Sequence, residues 1–180
     1  FSIRLGLMAF TFALLAGIPL GIIAALKQNS FIDYFSLLIS TIGVAVPTFV
    51  TGLLVLIVFG TTLKWISISN NDWNDFKPYI APSLVLGLAS MSFITRITRT
   101  TMLEVKRQDY IRTARAKGLA ERMVVIRHMM RNSLIPIVTI IGPGLVDLIT
   151  GSVITEAIFG IPGIGNFFVT SLFQRDYSMI

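Results

Sequence analysis

Residues 96–131 read RITRTTMLEVKRQDYIRTARAKGLAERMVVIRHMMR, and this stretch decides the fold. It holds ten of the chain's fifteen Lys and Arg residues against three acids, and apolar runs of membrane-spanning length lie on both sides of it. A basic segment between two spans belongs on the cytoplasmic side of a membrane. Its 36 residues are more than a turn between spans requires, so it reads as a docking surface rather than a tether.

The rest of the composition agrees with a membrane setting. The 180 residues are 54% hydrophobic and 13% charged, with a mean hydropathy of +0.79. Soluble domains carry about 25% charged residues. The formal net charge is +6, but the basic stretch alone contributes +7 and leaves −1 for the remainder. The charge therefore marks topology, and no nucleic-acid partner is expected. With no cysteine, disulfides, iron–sulfur clusters and thiolate zinc sites are excluded. His128 is the sole histidine and has no second His or Cys with which to hold a metal, so no metal site is expected. The chain begins at Phe1 inside an apolar pattern and is read as an internal fragment of a longer protein.

Working outward from the basic stretch, four spans are predicted, at about 5–26, 35–63, 78–97 and 132–159. They leave a cytoplasmic segment at 98–131 and an outer segment at 160–180. Leu5–Leu26 would be roughly 33 Å long as a helix, enough to cross. Pro47 should kink the second span. Gly142-Pro143-Gly144 should bend or interrupt the fourth, which also carries Asp147 and Glu156. Trp65 and Trp73 fall in the 64–77 loop, where aromatic rings favour the interface. This arrangement puts eleven Lys and Arg on the side of 27–34 and 96–131 against four on the other, which sets the orientation.

Within the basic stretch, Asp109-Tyr110 looks like a helix start, with Asp109 a candidate N-cap. Tyr110, Ala114, Lys117 and Gly118 share one side, and the two small residues would let another backbone approach it. Gly118 is the natural left-handed stop. A second, amphipathic helix then leads into the last span.

DYIRTARAKGL (109–119) followed by RHMMRNSLIP (127–136) resembles the EAA loop of binding-protein-dependent ABC importer permeases. The closest resemblance is to the B-type subunit of oligopeptide and dipeptide permeases. ITGSVITEAIFGIPGIGNFFV (149–169) and QRDYS (174–178) resemble the same subunit, with weaker matches in GIPLG (17–21) and VPTF (46–49). Arg112-Thr113-Ala114 stands where the family has Glu-Ala-Ala, and Gly118 holds the family's glycine position. The departures resemble peptide-type rather than sugar-type permeases.

The resemblance implies an all-α integral membrane permease domain, type I importer-like, with four of six expected spans and a cytoplasmic coupling helix. It implies ATPase coupling through Asp109, Tyr110, Arg112, Thr113, Ala114, Arg115, Lys117 and Gly118. Partners would be a second related permease subunit, two cytoplasmic ATPase subunits, an extracytoplasmic solute-binding protein and membrane lipid. ATP and Mg would sit on the ATPase subunits, with no cofactor on this chain. The location would be a bacterial plasma membrane, and the solute a peptide, nickel or another small compound.

The translocation pathway is expected near Pro47, Gly142, Pro143 and Asp147, and an outer gate or loop anchor at Glu156, Pro162 and Gly163. No G-x-x-x-x-G-K-[ST] loop and no catalytic pair is present, so the chain is expected to be non-catalytic. Two alternatives stay open: an ion-coupled secondary transporter using Asp147, and a membrane scaffold recruiting a soluble partner through the basic loop.

Overall fold

The structure, a computed structural model, describes residues 1–66, 72–150 and 153–175. Parts of the 64–77 loop (67–71), of ITGS (151–152) and of QRDYS (176–178) lie outside the described residues.

The described residues are helical throughout their ordered elements. Helix α1 spans Ser2–Leu26, α2 Phe31–Ala45, and α3 Thr48–Val55, which continues as a π-helix to Thr62. A 3₁₀ turn at Lys77–Tyr79 opens α4 (Ile80–Lys106), and α5 (Asp109–Ala116) comes next. Then α6 (Glu121–Met123) runs through a π-helical Val124–Met130 into α7 (Arg131–Ile149). Two short helices follow, α8 (Val153–Phe159) and α9 (Ile164–Gln174). Among the described residues, three continuous stretches are long and apolar enough to cross a membrane: Ser2–Leu26, Lys77–Lys106 and Glu121–Ile149. A bent pair, Phe31–Ala45 with Thr48–Thr62, makes a fourth if it counts as one span.

The centre of the fold is the contact of α1 with α4, made by small residues. Ala9, Ala13, Gly17, Gly21 and Ala25 recur every fourth position on α1 and are all buried. A Cβ on Gly17 would come 2.8 Å from the Met91 carbonyl oxygen, and one on Gly21 would come 2.6 Å from that of Thr95. From the other side, a Cβ on Gly87 would lie 2.6 Å from the Ala9 carbonyl oxygen. Lipid tails are as apolar as leucine, so helices in a bilayer gain by close backbone packing rather than by hiding apolar surface. The larger apolar side chains accordingly point outward, as with Leu15 at 72% exposure and Ile135 at 66%.

Three expectations are corrected here. The second span is not a kinked rod: α2 and α3 meet at Val46-Pro47 with a bend of 101°. Pro47 acts as the N-cap of a new helix, and Val46 is extended, as the residue before a proline prefers. The Gly142-Pro143-Gly144 triplet does not interrupt its helix, because α7 runs through both Pro136 and Pro143. A proline removes a single N–H from the ladder, and the helix carries that loss without ending. Finally, the last long helix ends at Ile149 rather than 159, and α8 is a separate element.

Candidate functional site

Helix α4 continues well past the apolar run and ends at Lys106, leaving only Arg107 and Gln108 before α5. The short helix is thus mounted on a long rigid one. Gln108 is the N-cap, and no side chain caps the end. Asp109, expected as the cap, is the first helical residue, where its negative charge suits the helix N-terminus. Thr113 bonds back through its hydroxyl to the Asp109 carbonyl at 3.0 Å.

The far end stops as the glycine suggests. Gly118 has φ +75°, its N–H donates to the Arg115 carbonyl at 2.9 Å, and the Leu119 N–H reaches the Ala114 carbonyl at 3.4 Å. This double closure is a Schellman motif, which satisfies carbonyls that would otherwise lack partners.

Two cross-links fasten α5 to the helices on its C-terminal side. Arg115 donates to both Glu121 carboxylate oxygens, at 3.0 and 2.7 Å. The Glu121 carboxylate beside it raises the Arg115 pKa further, so this cation stays charged. The Asn132 side-chain amide donates to the Tyr110 hydroxyl at 2.8 Å, joining α5 to the first turn of α7. Asp109 and Arg112 approach to 3.8 Å on the exposed surface, a contact of little energetic weight.

The inner side of α5 is apolar. Ile111 and Ala114 are buried with Met102 of α4 and with Val124 and Met129 of the π-helical segment. Ala114 therefore faces the protein's own core, and the expectation that it offers a partner an approach surface is corrected. Its small size serves internal packing. Asp109, Tyr110, Arg112, Thr113, Lys117 and Gly118 are exposed, and Arg115 is half-buried.

A second constellation sits at the outer end. Glu156 of α8 is fully buried. It accepts the Ser2 hydroxyl at 2.5 Å and the Gly165 N–H at 2.8 Å, while Ser2 accepts the Ile164 N–H at 2.9 Å. A Cβ on Gly163 would overlap the Glu156 carboxylate, and one on Gly165 would come 2.7 Å from it. The turn around Gly160–Gly165 is thus built around one carboxylate, which also sits at the N-terminus of α9. Pro162 lies exposed on that turn.

The residues expected to line a pathway are not gathered into one cluster. Gly142, Pro143 and Asp147 are exposed on α7. Among the described residues, the Asp147 side chain makes no hydrogen bond or ion pair. Pro47 marks the α2–α3 break on another part of the fold, where Gly52 of α3 rests on Ile158 and Phe159 of α8. An apolar groove of about 670 Å³ lies between α1, α3 and α4, with Phe59, Trp65 and Lys77 in its lining. No group of three or more His, Asp or Glu side chains lies together among the described residues.

Sequence reasoning missed Ser2, Asp33, Arg99, Glu121 and Asn132. Each acts through a partner beyond its own helical turn, and hydropathy or motif spacing carries no trace of that.

Residues 17–180 match the family described as binding-protein-dependent transport system inner membrane component. The chain is 43% identical to the oligopeptide transport system permease protein of Salmonella typhimurium, over 99% of this chain and 58% of that protein. It is 39% identical to the dipeptide transport system permease protein of Bacillus subtilis, with the same coverage. It is 42% identical to the oligopeptide transport system permease protein of Escherichia coli, again over 99% and 58%. The chain thus spans a little over half the length of these curated relatives.

Proposed function

The chain belongs to the family of binding-protein-dependent transport system inner membrane components, and from that premise we propose that it forms the membrane pathway of an ATP-driven peptide importer. The observation that carries this reading is the construction of α5. It is a helix on a two-residue joint, closed by the turn at Gly118 and cross-linked to α6 and α7, with its charged side exposed. A loop that merely joined spans would need none of these bonds. An element that receives force must have them, because slack in the joint would absorb the displacement.

In this reading, Asp109, Tyr110, Arg112, Thr113, Arg115, Lys117 and Gly118 meet a cytoplasmic ATPase subunit, and Ala114 supports them from beneath. ATP and Mg are bound and consumed on two such ATPase subunits, so the permease is not itself an enzyme. A second related permease subunit completes the pathway in a bacterial inner membrane with 96–131 in the cytoplasm. The exposed side of α7 that carries Gly142, Pro143 and Asp147 faces that subunit or the pathway. Pro47 lets α2 and α3 change angle, and Glu156, Pro162 and Gly163 hold the outer turn where a solute-binding protein delivers peptide.

The test is uptake of labelled di- and oligopeptides by proteoliposomes containing the full-length permease with its partner subunits and binding protein. Uptake should require ATP. Gly118→Leu should abolish both uptake and co-purification of the ATPase subunits. Uptake that ignored ATP removal but collapsed with the ion gradient would replace this reading with an ion-coupled transporter. Intact ATPase binding and uptake in Gly118→Leu would remove α5 as the coupling element.

A further inference from the structure

We propose that Asp33 and Arg99 are positioning residues that make α2 move with α4, so that displacement of the coupling helix reaches the break at Pro47; this inference rests on the importer reading above. Asp33 lies in the first turn of α2 and is 1% exposed. Arg99 donates to both its carboxylate oxygens, Nε to Oδ1 at 2.5 Å and Nη2 to Oδ2 at 2.8 Å. The Asn29 N–H adds a third bond to Oδ2 at 2.9 Å, with Asn29 itself at φ +63°. The carboxylate is therefore satisfied and held from both sides. One helical turn away, Arg96 donates to the Ser40 carbonyl of α2 at 3.4 Å.

The rest of the seam is close but small: Ile39 is partly buried against Ala13, Met91 and Ile94, and Gly43 sits tight against Ser92. The buried residues of α2 are Asp33, Ser36, Ser40 and Gly43, with no large apolar side chain among them. Most of its bulky residues face outward, including Phe31 at 81% and Leu38 at 56% exposure. Ser36 and Ser40 spend their hydroxyls on their own helix, bonding the Ile32 and Ser36 carbonyls. Close packing of small residues holds the two helices together, and the bidentate arginine–carboxylate pair adds a fixed distance and orientation at one point along them.

The placement gives the pair a task. Arg99 lies seven residues before the end of α4, about 10 Å along its axis, and α5 begins just beyond Arg107 and Gln108. At its other end α2 meets the 101° break, beyond which α3 rests through Gly52 on α8, the helix that carries Glu156. Motion of α5 thus has a continuous mechanical route from α4 through Asp33 to α2, across Pro47, and on to the outer turn.

The readout is peptide imported per ATP hydrolysed, measured on the purified, assembled importer in proteoliposomes. Asp33→Asn should lower this ratio about fivefold while binding-protein-stimulated ATP hydrolysis stays within about twofold of wild type. The single variant leaves the partly buried Arg99 without its counter-ion, so the double variant Asp33→Asn/Arg99→Met, which removes both charges, guards against a folding defect and should be equally uncoupled. In an assembled importer whose other cysteines have been replaced, Asp33→Cys/Arg99→Cys can be bridged by a short bifunctional thiol reagent, and bridging should restore the ratio. The proposal is overturned if the ratio holds in the assembled double variant, if uptake and hydrolysis fall in step, or if bridging fails to restore coupling. Wild-type uptake that did not depend on ATP would overturn the importer reading instead.

Discussion

Glu156 accepts the Ser2 hydroxyl at 2.5 Å across 154 residues of chain, and so ties the start of α1 to the outer turn before α9. The same carboxylate occupies the space that a side chain on residue 163 would need. Gly163→Ala should therefore destabilise the permease by about 1–3 kcal/mol, the usual cost of forcing a methyl into packed space. Glu156→Ala alone should also destabilise, by orphaning Ser2 and the Gly165 N–H. In the double variant the two costs should sum to less than the separate losses, because the clash disappears with the carboxylate. Thermal unfolding of the purified protein in detergent measures the cycle.

The seam between α1 and α4 should tolerate no added atom. A Cβ on Gly21 would lie 2.6 Å from both the Thr95 carbonyl oxygen and the Thr98 Cβ. Gly21→Ala is expected to lower stability by about 1–3 kcal/mol even though alanine is the better helix former. Gly144 is the control, since a Cβ there meets nothing within 4 Å. Gly144→Ala should be neutral or stabilise by up to about 1 kcal/mol. Detergent melting curves of the two variants should shift in opposite directions, or only the first should shift.

On α5, Gly118 and Ala114 should fail in different ways. Gly118 needs φ +75°, so Gly118→Ala should cost about 1–2 kcal/mol locally and weaken ATPase binding through a deformed turn. Ala114 is packed against the core, and Ala114→Leu should lower the stability of the permease itself. Comparing melting temperature with ATPase co-purification separates the two. Gly118→Ala should move mainly the second measurement and Ala114→Leu mainly the first.

The two cross-links of α5 should matter more for transmission than for stability. Tyr110→Phe removes the acceptor for Asn132, a loss of about 0.5–1.5 kcal/mol. Arg115→Gln breaks an ion pair whose side chains are 36% and 60% exposed, so less than about 1 kcal/mol is at stake and salt should reduce it further. Both variants should fold and import less peptide per ATP, and, because both side chains also belong to the surface assigned to the ATPase subunit, co-purification of that subunit should weaken too. An unchanged ratio in the combined Tyr110→Phe/Arg115→Gln variant would show that α5 does not depend on these bonds for stiffness.

Much of this protein was determined by the sequence on its own. The membrane setting, the cytoplasmic side of 96–131, the helix stop at Gly118 and the family resemblance all come from properties local in the chain. A residue's cost in lipid depends on that residue alone, and a helix end depends on a few neighbouring residues.

The tertiary structure decided what those elements do to one another. Pro47 announces a bend, but the 101° turn is seen only with α3 seated on α8. Gly142-Pro143-Gly144 reads as a break, yet α7 passes through it. Ala114 looks like an approach surface in the spacing and proves to be core. Asp33 and Arg99 are 66 residues apart, and neither has a local pattern that names the other. Side-chain pairing of this kind depends on which helices lie side by side. In a membrane that choice is made by close packing of small residues along α1 and α4, which hydropathy cannot distinguish from any other apolar surface.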